Sequence, residues 1–182
     1  NNFNVNLKNL NSTGKNDNVY KSDLQIEGMS SYELQSSLPL IKKNDQFKNT
    51  MMRLFPELND NNLLFKLKTD EVGKYSISLP KTAKIISTII YHHILKLNLL
   101  NDKITITDAT AGIGGNTISF AKTFNKVNSI EINKERFLYL ENNIKVYELD
   151  NVITINDNYI KIMNNLKQDV VFIDPPWGGR NY

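Results

Sequence analysis

The apolar run Val170-Val171-Phe172-Ile173 ends in Asp174-Pro175-Pro176-Trp177-Gly178-Gly179. An acid, two prolines and an aromatic ring at the carboxyl end of a buried strand can grip a planar ring that carries an exocyclic amine. The amine hydrogens need acceptors, which a carboxylate and the neighbouring backbone carbonyl supply. The prolines stiffen the turn because their φ is fixed, and Trp177 offers a flat stacking face. This set suits methylation of an amino group on a base, with Asp174, Pro175 and Trp177 as candidate catalytic residues.

A second segment lies upstream. Ile104-Thr-Ile-Thr-Asp108 runs into Ala-Thr-Ala-Gly112-Ile-Gly114-Gly115-Asn116 and then into a helical pattern. Strand, glycine turn and helix in that order let a nucleoside-bearing cofactor approach the backbone at a helix N-terminus. The next strand, Val127-Asn-Ser-Ile, ends in Glu131, 23 residues after Asp108, where an acid can hold a ribose hydroxyl. A third, Val152-Ile-Thr-Ile-Asn156, ends beside Asp157, placed to accept from an adenine amino group. The turn lacks the full G-x-G-x-x-G spacing of a dinucleotide site, and the fourth strand carries amine-gripping chemistry. The order therefore fits S-adenosylmethionine better than NAD.

These motifs need elements to carry them. The alternation predicts strand 104–108, helix 115–124, strand 127–132, helix 135–148, strand 152–156, a helix near 159–166 and strand 170–174. Such βαβ repetition argues for an α/β, Rossmann-like parallel sheet with helices on both faces. Every motif then falls at the carboxyl edge of the strands, where ligands bind in open sheets. Ahead of the sheet, Ile85, Ile86, Ile89, Ile90 and Ile94 mark a helix from Lys81 to about Leu97, with Pro80 at its start. Residues 51–79 read as an accessory segment docked on the core, a short helix with a turn or strand at 51–67, and residues 80–182 as the core itself. Residues 1–50, rich in Asn, Ser and Lys without sustained periodicity, read as a largely disordered or loosely attached arm.

Composition narrows the class. Five of the eight glycines and two of the five prolines sit in the two motifs, so backbone permissiveness is concentrated where chemistry is expected. The absence of cysteine removes disulfides and thiolate metal sites. His92 and His93 are adjacent and lack metal-ligand spacing, so no metal is expected. Residues 1–75 carry 10 basic and 9 acidic residues and 76–182 carry 12 and 10. That even spread argues against a long nucleic-acid groove and suits a short anionic ligand. No apolar run approaches the roughly 18 residues of a membrane span, and the expectation is a soluble intracellular monomer.

Asp108-Ala-Thr-Ala-Gly-Ile-Gly-Gly-Asn-Thr-Ile118 together with Asp174-Pro-Pro-Trp-Gly-Gly-Arg-Asn-Tyr182 resembles the trimethylguanosine synthase family of RNA cap guanine-N2 methyltransferases. That family's first motif is Asp-x-x-x-Gly-x-Gly-Gly-Asn-Thr, and its fourth is Ser-Pro-Pro-Trp-Gly-Gly with a tyrosine three residues on. Arg53-Leu-Phe55 and Tyr75-Ser-Ile-Ser-Leu-Pro80 add to the likeness, which covers roughly 51–182. It implies a class I methyltransferase that moves a methyl from S-adenosylmethionine to N2 of a 7-methylguanosine cap on RNA, in the nucleus or cytoplasm. Asp108, Thr110, Gly112, Gly114 and Asn116 would lie along the cofactor, with Glu131 on its ribose and Asp157 on its adenine. Trp177 would stack on the cationic 7-methylguanine, while Tyr182, Arg180 and Lys81 would take the cap ribose or phosphates.

The sequence departs from that family at two site positions. Asp174 replaces the usual serine and Glu131 the usual Asp. Asp-Pro-Pro-Trp also resembles the motif of RNA adenine-N6 methyltransferases, so methylation of adenine or another exocyclic amine is a second expectation. Class I methyltransferases continue for about three strands past the fourth, and the sequence stops at Tyr182. The expectation is thus a core truncated after strand four, and a non-catalytic cap-binding module is a third possibility.

Overall fold

The computed structural model describes residues 31–97 and 103–175. The chain divides into two compact units, 1–46 and 47–182, and the candidate site falls wholly in the second. Helix α1 spans Ser31–Leu54, so regular structure reaches back into the stretch read from sequence as an arm. It runs through Pro39, which lacks an N–H and is disfavoured inside helices. Among its described side chains, those from residue 43 on, the buried ones are Met51 and Leu54 in the last turns.

A 3₁₀ turn at Asn61–Lys66 and a short helix α2, Glu71–Ser76, follow. Each is started by an aspartate: Asp60 accepts from the Asn62 N–H, and Asp70 accepts from the Gly73 N–H, as N-caps do. Helix α3, Pro80–Lys96, begins on proline as expected. Met51, Leu54, Phe55, Leu64 and Leu67 pack with Ile113, Ile118, Leu140 and Ile144 in one buried cluster. The accessory segment is thereby joined to the glycine turn and the helices behind it.

The core alternates β1 Thr105–Asp108, α4 Gly115–Ala121, β2 Lys126–Ile130, α5 Lys134–Val146, β3 Val152–Ile155, α6 Tyr159–Ile162 and β4 Val170–Phe172. All pairings are parallel, in the order β3-β2-β1-β4. Helix α4 is shorter than the predicted 115–124, and the predicted helix near 159–166 resolves into α6 and a 3₁₀ turn, Met163–Asn165.

Register sorts the side chains by face. Ile106 aligns with Val127 and Val170, and Val127 with Val152. This face meets Ile94, Phe120 and Phe124 from α3, α4 and the turn after α4. The opposite face carries Thr107 beside Asn128, whose side chain donates to Thr107 Oγ1 at 3.1 Å and to the Lys167 carbonyl at 3.0 Å. The chain winds from β1 to β3 on one side and returns to place β4 on the other. The reversal between β1 and β4 opens the crevice in which doubly wound sheets bind ligands.

Candidate active site

Asp108 closes β1 at that reversal and is 1% exposed. Its Oδ2 accepts from Thr117 Oγ1 at 2.7 Å, and Thr117 Oγ1 also meets Ser129 Oγ at 2.7 Å. Burial pushes the Asp108 carboxyl up to about 6; hydrogen bonds from the Thr117 side chain and the Thr110 backbone oppose the rise, and the charges of Asp174 and Glu131 add to it. A buried acid among other acids is a place that favours a cation. Sequence reasoning found Asp108 but missed Thr117 and Ser129 as its supports. The threonine after Gly-Gly-Asn was the available signal.

The turn from 109 to 114 is tied at both ends. The Ala109 N–H donates to the Phe172 carbonyl at 2.9 Å, and the Ala111 N–H donates to the Ile130 carbonyl at 2.8 Å. Gly112 has φ +56° and Gly114 φ +104°, left-handed values that a side chain makes costly. A Cβ on Gly112 would meet nothing within 4 Å among the described residues, so none of them crowds the backbone there. Gly115 is held differently: a Cβ would fall 2.6 Å from Ile77 Cγ1 and 2.8 Å from the Ser78 carbonyl oxygen. The accessory segment therefore lies directly on the start of α4.

Asn116 reinforces that contact, its Nδ2 donating to Ser78 Oγ at 3.0 Å. Its Oδ1 is buried with no hydrogen-bond partner among the described residues. Buried polar atoms are nearly always paired, so this acceptor is free to take a donor from outside the described residues. Glu131, 7% exposed, is already engaged. Its Oε2 accepts from the Gly112 N–H at 2.9 Å and its Oε1 from the Asn133 N–H at 2.8 Å. A carboxylate has about four lone-pair sites, so each oxygen can take one more donor. Asp157 is exposed beyond β3, and its Oδ1 accepts from the Asn158 N–H at 2.7 Å.

On the far side of the crevice the Asp174 N–H donates to Thr110 Oγ1 at 2.9 Å. That bond fastens the start of the Asp-Pro-Pro turn to the glycine turn. Asp174 is half-buried and Pro175 exposed. Trp177, Arg180 and Tyr182 lie outside the described residues. Lys81 is exposed in the first turn of α3, a few residues past the Ser78 contact. Among the described residues there is no cluster of three or more potential metal ligands, and no helix is long and apolar enough to cross a membrane.

The parallel sheet, the glycine turn and the crevice at the β1–β4 reversal define a class I methyltransferase fold. A solved precorrin-6y C5,15-methyltransferase from Geobacter metallireducens shares it, with a TM-score of 0.51 at 17% identity over 63% of this chain and 57% of that one. Residues 103–182 match the RNA cap guanine-N2 methyltransferase family, a family that uses S-adenosylmethionine. The chain resembles the trimethylguanosine synthases of that family. It is 27% identical to the one from Saccharomyces cerevisiae over 176 residues, covering 92% of this chain and 52% of the yeast protein. Identity to the Schizosaccharomyces pombe trimethylguanosine synthase is 36% over 84 residues, 42% of this chain and 35% of that protein. An uncharacterized protein of Acanthamoeba polyphaga mimivirus is 52% identical over 83 residues, 44% of this chain and 32% of its own length. The chain thus spans about a third to a half of the curated relatives it matches.

Proposed function

We propose that this chain binds S-adenosylmethionine in the β1–β4 crevice and methylates the exocyclic N2 amine of a 7-methylguanosine RNA cap. The observation that carries the proposal is the bond from the Asp174 N–H to Thr110 Oγ1, which joins the base-gripping turn to the cofactor turn across the strand reversal. Similarity to trimethylguanosine synthases supports the choice of base. The reading extends to a monomer acting on capped RNA inside the cell, in the nucleus or cytoplasm.

The residues fit the cofactor on two counts: room over Gly112 among the described residues and a buried acceptor on Asn116 that none of them pairs. When bound, S-adenosylmethionine supplies a methyl group made electrophilic by the sulfonium. Glu131 would hold the ribose through the lone pairs its backbone partners leave, and Asp157 would accept from the adenine amine. Asp108 lends negative charge to the cationic end of the ligand through the Thr117-supported carboxylate. Asp174 and its backbone carbonyl accept the N2 hydrogens and point the nitrogen lone pair along the transfer axis. Asp174 or water would take the proton that the amine gives up when it accepts the methyl group. Positive charge on the 7-methylated ring eases that loss, so orientation contributes most of the rate. Trp177 stacks on the same positive ring, an attraction of about 0.5–2 kcal/mol.

Trp177 is the single tryptophan, so its fluorescence reports the base directly. Titration with 7-methyl-GTP is expected to quench it at concentrations where GTP leaves it unchanged. Equal quenching by the two nucleotides would overturn the assignment of cap recognition to Trp177. The Asp-Pro-Pro-Trp spelling keeps adenine as the second substrate base, distinguished by label appearing in adenine of an uncapped RNA.

A further inference from the structure

Arg136 stands in the first turn of α5, one helical step past the N-cap Asn133, whose side chain accepts from the Arg136 N–H at 3.0 Å. Its guanidinium lies between two carboxylates from different parts of the chain. Nη1 is 3.7 Å from Asp70 Oδ2, and Nε is 3.7 Å from Glu131 Oε1. Asp70 caps α2 in the accessory segment through its other oxygen, at 2.6 Å from the Gly73 nitrogen. Glu131 holds the Gly112 N–H through its own other oxygen. A line of charge and hydrogen bonds therefore runs from α2 through Arg136 and Glu131 to the glycine turn.

We propose that Arg136 is a positioning residue for cofactor binding: it steadies the Glu131 carboxylate over the glycine turn in the orientation that meets the ribose, and Asp70 anchors it from the accessory segment. The proposal rests on the reading that the crevice takes S-adenosylmethionine. An exposed pair at this separation would contribute little, but the Arg136 side chain is only 23% exposed, that of Asp70 24% and that of Glu131 8%. Water screens such a group weakly. The charges of Asp174 and Glu131 press on Asp108, and Arg136 brings a positive charge within 4 Å of both Glu131 and Asp70. Distances of 3.7 Å denote attraction rather than direct hydrogen bonds. The Glu131 lone pairs not used by Gly112 and Asn133 thus stay available to the ligand.

The test is calorimetric binding of S-adenosylhomocysteine to the whole 182-residue chain and to Arg136→Met, Arg136→Lys, Glu131→Gln and the Arg136→Met/Glu131→Gln double variant, with the thermal midpoint of each measured without ligand. Arg136→Met is expected to weaken binding by about tenfold and Arg136→Lys by less, the size of coupling common between contacting charged groups. In the Glu131→Gln background the same Arg136→Met change is expected to weaken binding less than about twofold, because Arg136 then has no carboxylate to position. A similar loss in both backgrounds would overturn the proposal, since Arg136 would then act independently of Glu131. So would unchanged affinity in a folded Arg136→Met. If the parent chain bound no S-adenosylhomocysteine, the cofactor reading itself would fall, and the role of Arg136 with it. Asp70→Asn retains a capping oxygen while removing the charge. It is expected to weaken binding in the parent and not in Arg136→Met, and equal loss in both would remove Asp70 from the chain of contacts.

Discussion

Asp108 illustrates how a buried acid ties stability to pH. Its carboxyl is raised by burial to about 6 from an ordinary 3.8, so between those values the folded chain holds a proton that the unfolded chain has lost. Stability from this group therefore falls as pH rises through that window and is lowest above about 6, by roughly 3 kcal/mol at most. Asp108→Asn keeps an oxygen for Thr117 and removes the charge. The variant is expected to melt above the parent at pH 7–8, with the difference closing near pH 4, while its affinity for S-adenosylhomocysteine falls. A difference that widens in acid would mean Asp108 is not the strained group. The sequence showed this residue's position and the glycine turn that follows it, since Asp, Gly, Gly and Asn are spelled out there, but not its supports Thr117 and Ser129. It did not show that Glu131 already holds the glycine turn, because that depends on how the end of β2 is placed against Gly112.

Asn143 does for the elements what Glu131 does for the turn. It is fully buried in α5. Its Oδ1 accepts from the Lys68 N–H at 2.8 Å, and its Nδ2 donates to the carbonyls of Lys68 at 2.9 Å and Ile113 at 3.0 Å. One amide thus mimics a strand neighbour for the accessory segment and holds the glycine turn as well. Asn143→Ala would leave buried backbone groups unpaired and is expected to destabilise the chain by about 2–4 kcal/mol in urea unfolding; a loss under about 0.5 kcal/mol would show that water replaces the amide. The parallel alternation of strands and helices was legible because β3 and β4 are short runs of β-branched and apolar residues, Val152–Ile155 and Val170–Phe172, bounded by turns. Helix α2 was not, since Glu71–Ser76 is only 6 residues and carries its start signal, Asp70, without an apolar stripe. The accessory segment was legible as an apolar cluster, but the seat it takes on Gly115 follows from tertiary packing.

Over the whole molecule, the strand order β3-β2-β1-β4 brings four segments distant in sequence to one edge: the glycine turn, Glu131, Asp157 and Asp174. The accessory segment packs against the first of these through Ile77 and Ser78, so residues 51–79 back the glycine turn as well as the core. The proposed function needs a methyl donor and an amine held in one crevice, and this edge is where they are proposed to meet. The most direct measurement is transfer of labelled methyl from S-adenosylmethionine by the 182-residue chain, with 7-methyl-GTP, GTP and an uncapped adenine-containing RNA offered in parallel. The expected result is label on N2 of 7-methyl-GTP and none on the other two. Label in adenine, or cofactor binding with no transfer to any of the three, would contradict cap methylation by this chain.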